Sequence, residues 1–384
     1  MSTVGNDMLT SRPDIPLSFF NGNWDNIEKH QAARAVDWMD FLLFVVPTLI
    51  IPSLHYPEAR EKLKNLIISI HLCLRWELST SDILFIQKSI DSFQEFLIER
   101  IQLETLNRRC FKINIHYLGH IAYMVQRLGP LPSYSCRPLE RTIGYYKDRK
   151  LSPSLPGTSF QMHIETECSL NHLLAQNVQG RNGVQQTIKF IGKPNQSDSP
   201  PDPVTYANLR KATGEHMERL GITFDSNTFI TSSKDFYIHQ SVQLKNDIYR
   251  SLFYLSSKRS NKASSGQPTV LCKADLNHYF FGMVHFYFEV YVNNISHKLV
   301  ALQVLKDVVH DKTVNGKLFP YWKHQSGHHL RLVVIDVGNV VDAVGIISDS
   351  TNKDIKHLVP SKQHIWDFSV LTDFNNVKAH LRRI

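Results

Sequence analysis

Between Lys112 and Lys147 the chain carries its densest set of chemically capable side chains, KINIHYLGHIAYMVQRLGPLPSYSCRPLERTIGYYK. His116 and His120 stand four apart in a run that reads as helix from Ile113 to Leu128, so both imidazoles face one way. Gly129-Pro130 stops that helix, and Pro138-Leu139-Glu140-Arg141 opens what reads as another. Taken as a residue, Glu140 is an acid near a helix start with Arg137 and Arg141 around it, suited to the helix dipole and a guanidinium. Its functional alternative is a hard oxygen ligand for Mg²⁺. A His-x-x-x-His pair that lacks the glutamate of HExxH is a poor zinc signature, and it keeps open only a minor alternative, a metal-dependent hydrolase at His116 and His120.

Two basic groups flank these residues. Arg100, Arg108, Arg109 and Lys112 lie near a helix junction, and Arg141, Lys147, Arg149 and Lys150 follow Glu140. Either group alone reads as a solvated helix face. Tyr134, Tyr145 and Tyr146 interleave with the second and offer stacking surfaces to bases. The bulk charge points the same way: 43 Lys and Arg against 35 Asp and Glu give a net +8, which favours acidic partners and nucleic acid first. His324, His328 and His329 surround Gly327 and read as a surface loop, and Lys258, Arg259 and Lys262 as part of a polar linker.

Other classes find little support. The five cysteines are scattered without a CxxC pair, which argues against a zinc ribbon or a thioredoxin-type site and favours buried thiols in a reducing compartment. Met1 to Phe20 has no signal-peptide pattern. Phe41 to Leu54 is the most apolar run; interrupted by Pro47 and Pro52, it is shorter than the roughly 20 residues a bilayer needs and reads as a buried helix that breaks at the prolines. Phosphate-cradling glycine loops, nucleophile elbows and kinase motifs are absent.

The elements that position these residues follow from periodicity. Ile83, Ile86, Ile90, Phe93, Leu97 and Ile101 recur at steps of three and four, behind N-cap candidates Ser79 to Asp82. Gln31 to Val46 and Lys62 to Trp76 read as helix too. After Pro268 the period changes: Tyr279 to Val292, Lys298 to Leu305, Leu330 to Asp336 and Val340 to Ile347 are β-branched, aromatic or apolar runs. The chain, 384 residues long, is therefore expected to be α+β. Its expected divisions are a helical region over 1–110, a helical segment with the Glu-Arg motif over 111–192, a linker with irregular or helical connections over 193–268, and a small antiparallel β domain over 269–384. The joints are Lys193 to Pro203 and Ser256 to Pro268.

The order of features resembles the C-terminal part of CACTA-type (En/Spm-like) DNA transposases and their fungal relatives. The matching residues are Ala35-Val36-Asp37-Trp38 before the apolar Phe41-Leu42-Leu43, then His116 and His120, Gly129-Pro130, Tyr134-Ser135, Leu139-Glu140-Arg141 and, in the tail, Phe281-Gly282. The likeness covers most of residues 15–170 and, more loosely, 270–365. It implies a ribonuclease H-like core in which three carboxylates hold two Mg²⁺ ions for phosphodiester cleavage and strand transfer. By motif position Glu140 is the third acid, a catalytic residue and metal ligand, with Arg141, His116 and His120 supporting the fold around it. Lys147, Arg149, Lys150, Arg108 and Arg109 are the expected DNA contacts.

The chain departs from that pattern where its two earlier acids should be. Asp7, Asp14, Asp25, Asp37 and Asp40 lie in no recognisable strand. The expectation is a truncated, nuclear, DNA-associated remnant, not catalytic alone, using Mg²⁺ only if an assembling full-length transposase supplies the missing acids, and without a membrane partner. A non-enzymatic protein-interaction or chromatin-associated module built on the β domain is the competing reading.

Overall fold

The structure, a computed structural model, describes residues 2–16, 24–26, 33–136, 140, 143–144, 155–179, 188–191, 203–223, 236–244, 247–252, 268–292, 295–309, 319–323, 332–350, 355–359, 369–371 and 374–381. It mixes helix and antiparallel sheet, as an α+β reading expects. Both Pro/Ser-rich joints lie outside the described residues except for their last prolines, Pro203 and Pro268.

Helices come first: α1 (Ser2–Ser11), α2 (Ala35–Asp40), α3 (Pro57–Cys73), α4 (Thr80–Gln102), α5 (Ile113–Leu118), α6 (Ile121–Leu128) and α7 (Pro156–Gln179). Helix α4 begins at the expected cap, where Ser79 Oγ accepts from the Asp82 amide and the Asp82 carboxylate accepts from the Ser79 amide. Its Ile86 and Ile90 pack with Leu66, Leu72 and Cys73 of the α3 region and Ala122 of α6. Burial pushes the Cys73 thiol up to about 12, and its backbone hydrogen bond only partly offsets this, so that cysteine is inert packing. Cys272 is also buried, whereas Cys110, Cys136 and Cys168 are exposed.

Two helical expectations change. The run Ile113–Leu128 is two short helices, interrupted at Gly119 and His120; beside the break Gln94 of α4 donates to the Ile115 carbonyl, and a Cβ at Gly119 would meet the Gln94 side-chain oxygen at 3.2 Å. The apolar run does not break at Pro47. Phe41–Ile50 continues α2 as a wide π-helix, and a 3₁₀ turn, Ile51–Ser53, follows. By length and composition Ala35–Ser53 is apolar enough to cross a membrane, yet Leu43, Phe44, Val45 and Val46 are buried in one cluster with Phe319, Ile347 and Val359 of the β region.

The sheets begin earlier than the sequence suggests. Strand β1 (Ile188–Ile191) falls in the stretch expected to be helical, and the stretch expected to be a linker with irregular or helical connections holds, besides the helix α8 (Pro203–Arg219), the strands β2 (Phe236–His239), β3 (Ser241–Leu244) and β4 (Asp247–Arg250). Strands β1, β3 and β4 form one antiparallel sheet. The largest sheet is ordered β10 (Leu332–Asp336), β7 (Ile295–Val304), β6 (His278–Val292), β5 (Thr269–Lys273), β11 (Val340–Ala343), with β2 and β14 (Ser369–Val370) also pairing with β6. A third sheet runs β12 (Gly345–Ser348), β13 (Ile355–Val359), β9 (Tyr321–Lys323), β8 (Val308–Val309). The expected single run Val340–Ile347 is thus two strands in different sheets, divided at the buried Val344. A C-terminal helix, α9 (Phe374–Leu381), closes one core through Val377 and Leu381.

Strand β6 organises this half. Its pairing with β7 shifts register between Val284 and Phe286. One extra residue reverses the alternation, so Phe280, Val284 and Tyr287 face one core while Phe286, Phe288 and Val290 face another. Tyr287 is fully buried, and its hydroxyl has no hydrogen-bond partner among the described residues. Burial first, then Cys272 and Tyr249, hold that phenol well above its ordinary pKa. Tyr287→Phe removes an unsatisfied polar group without leaving a void, so it should raise the unfolding free energy by about 1 kcal/mol, measured as an upward shift of the denaturant midpoint at unchanged slope.

Candidate functional site

The helical region presents a basic, aromatic surface around α5 and α6. Asn107 caps a short 3₁₀ turn, Arg108–Cys110, that leaves Arg108 and Arg109 in solvent. Lys112, Tyr117, Tyr123 and Arg127 are exposed beyond it, and the Arg127 guanidinium lies 5.4 Å from the Tyr123 ring centroid, one turn back on α6. No acid lies between Glu104 and Glu140 in the sequence, so the cations of this face have no local acidic partner along the chain. Arg100 differs from them: it is ion-paired with Glu99 at 3.2 Å and Glu58 at 3.7 Å. His116 and His120 do come together, Nε2 to Nε2 at 3.3 Å with edge-on rings, and both are exposed.

Glu140 is exposed, and its amide donates to the Cys136 carbonyl at 2.9 Å. Arg141, Lys147, Arg149 and Lys150 lie outside the described residues, as do His324, His328, His329, Lys258, Arg259 and Lys262. Asp7, Asp14, Asp37 and Asp40 sit in helices or helical turns, and no strand precedes Ile188 among the described residues. Asp37 is held by the backbone and guanidinium of Arg34, and Asp7 accepts from Ser350. Among the described residues Glu140 belongs to no group of three metal-capable side chains, and no metal-dependent step follows from it.

A different cluster meets at the start of β6. Ala274 to Asn277 turn the chain from β5 into β6, and Asp275 shapes that turn: Oδ1 accepts from the amides of Asn277 and His278, both at 2.9 Å. The same carboxylate contacts His278 Nδ1 at 2.8 and 3.0 Å and, through Oδ2, His380 Nδ1 at 2.5 Å. His380 arrives from α9, whose Val377 and Leu381 anchor the helix in the core. The two rings lie 4.1 Å apart, tilted by 39°. Partial burial opposes ionisation of Asp275, but the hydrogen bonds from Asn277, His278 and His380 outweigh it and hold its carboxyl well below the usual range. Beside the cluster is a cavity of about 520 Å³ lined also by Lys273, Leu276, Asn277 and Asn339. Among the described residues this is the one place where three or more side chains converge with metal-ligand spacing.

Comparison with known proteins found no matching family model, no matching curated protein and no matching solved structure.

Proposed function

We propose that the chain is a transposase-derived, DNA-associated protein, a nuclear remnant of a cut-and-paste transposase that does not cleave DNA alone. What carries the reading is the α5–α6 face: exposed Arg108, Arg109, Lys112 and Arg127 with Tyr117 and Tyr123, in a stretch without an acid. Cations there exchange condensed counterions for phosphate contacts, and the tyrosines offer stacking surface to unpaired bases. The ribonuclease H-like ancestry rests on the motif order around Glu140. A longer relative would have to contribute the other two acids and, with them, Mg²⁺.

Fluorescence anisotropy on labelled DNA across a salt series tests this. The full chain should bind with a steep negative slope of log affinity against log salt. Replacing Arg108, Arg109 and Arg127 together by alanine should flatten that slope by about 0.9 for each phosphate that is no longer neutralised. Salt-insensitive or absent binding sinks the reading. Incubation with supercoiled plasmid and Mg²⁺ or Mn²⁺ should leave it uncut, and cleavage abolished by Glu140→Ala would show an autonomous nuclease.

A further inference from the structure

The Asp275 cluster is unrelated to the helical face, and nothing in the DNA reading uses it. Its three side chains come from a turn, the first residue of a strand and a terminal helix, with Asp275 and His380 separated by 105 positions. All three ligand atoms lie within 4.8 Å of one another.

We propose that Asp275, His278 and His380 bind one divalent transition-metal ion of the zinc type, with an open coordination position facing the adjoining cavity. The donor set selects the ion. Two imidazole nitrogens and one carboxylate oxygen suit zinc and its first-row neighbours, whereas Mg²⁺ and Ca²⁺ take oxygen ligands. Each imidazole would coordinate through Nδ1, neutral, with its proton on Nε2. One anionic carboxylate then offsets half the charge of the ion. The Nδ1 to carboxylate separations, 2.5 to 3.0 Å, are those of hydrogen bonds. Around an ion the same atoms would stand roughly 3.3 Å apart at tetrahedral angles, so the imidazoles need to move away from the carboxylate by roughly 0.3 to 0.8 Å. Asp275 Oδ2 is the oxygen best placed to swing toward the ion, since Oδ1 carries the turn's two amide hydrogen bonds.

Three protein ligands leave a position for water or an exogenous donor, the arrangement of reactive rather than purely structural zinc sites. The cavity supplies the room, and Asn277 and Asn339 line it with donors and acceptors. Lys273 also lines it and opposes a cation electrostatically. Its ammonium is suited to an anion, such as a carboxylate or phosphate group, in the open position.

The test is isothermal titration of the tag-free full chain with ZnCl₂, together with Co²⁺ absorption as a geometric probe. One equivalent of zinc should bind, and Co²⁺ should give the intense visible bands of a four-coordinate site. Asp275→Asn keeps an acceptor for the turn amides and removes the charge, and circular dichroism should show it folded. It should weaken zinc at least 10-fold, as should His278→Ala and His380→Ala. Paired His116→Ala and His120→Ala substitutions should leave the stoichiometry and affinity unchanged. No saturable zinc binding in the folded protein, or binding lost with His116 and His120 instead, overturns the proposal. DNA affinity is measured on separate variants, so either reading can fail without the other.

Discussion

Phe44→Ala should lower the unfolding free energy by about 3–5 kcal/mol, the cost of emptying a phenyl-sized volume in a core that cannot collapse around it. Phe44 is completely buried. Its ring stacks on Phe319 at 6.2 Å and meets His71 edge-on at 6.1 Å. The same cluster holds Met8 and Ile15 from the N-terminal segment, Leu43 and Val45 from the π-helix, Ile67 from α3, and Ile347 and Val359 from the third sheet. A cavity there loosens packing at both ends of the sequence at once. Chemical denaturation followed by far-ultraviolet circular dichroism and by tryptophan fluorescence should show one transition moving to lower denaturant with both probes. Phe44→Leu, which refills much of the space, should cost about half as much. A shift smaller than about 1 kcal/mol, or one confined to a single probe, would mean that the N-terminal helices and the β region do not share this core.

That shared core also marks the boundary of what the sequence made legible. Local signals worked: the N-cap candidates Ser79 to Asp82 and the three-and-four spacing from Ile83 placed α4, and the aromatic run Tyr279–Val292 placed β6 almost to the residue. Non-local facts did not. Nothing in Phe41–Ile50 announces that its partners are Phe319, Ile347 and Val359. Strands β1 to β4 have four residues each, too short for a period to stand out in polar surroundings, and they exist because they pair with one another or with β6. The bulge beside His285 is equally silent, since both faces of β6 are apolar and either parity looks acceptable. For the site, the sequence showed only the strand from Tyr279; Asp275 and His278 stand just before it in no motif that marks them. The cluster's third member is brought in by the packing of Val377 and Leu381. Glu140 shows the converse: a motif position can be read from sequence, but whether other carboxylates stand beside it depends on tertiary structure.

Lowering the pH from 7 to 4 should destabilise the protein through His216, and His216→Gln should remove that part of the response. The imidazole is 6% exposed on the face of α8 that packs against β10. Its Nδ1 accepts from the Arg219 guanidinium at 3.0 Å, and the same guanidinium nitrogen donates to the Val334 carbonyl at 2.7 Å. Protonating Nδ1 would abolish that hydrogen bond and set two cations together where water is excluded. Burial first, then Arg219 and His297, lower the pKa from 6.5 to about 4. The unfolded chain therefore takes up this proton near 6.5, while the folded chain resists it until about 4. Between those values the unfolded state binds more protons, so stability rises with pH and falls on acidification. At about 1.4 kcal/mol per unit the interval amounts to about 3 kcal/mol. His239 and His285, also shifted downward by burial, add slopes of the same sign, so only the difference between wild type and variant isolates His216. A glutamine can still accept from Arg219 but does not titrate. His216→Gln should thus be somewhat less stable at pH 7 and should lose less on acidification, the two stability curves converging toward pH 4. Parallel curves would place the proton uptake elsewhere and show that α8 docks equally well with this ring charged.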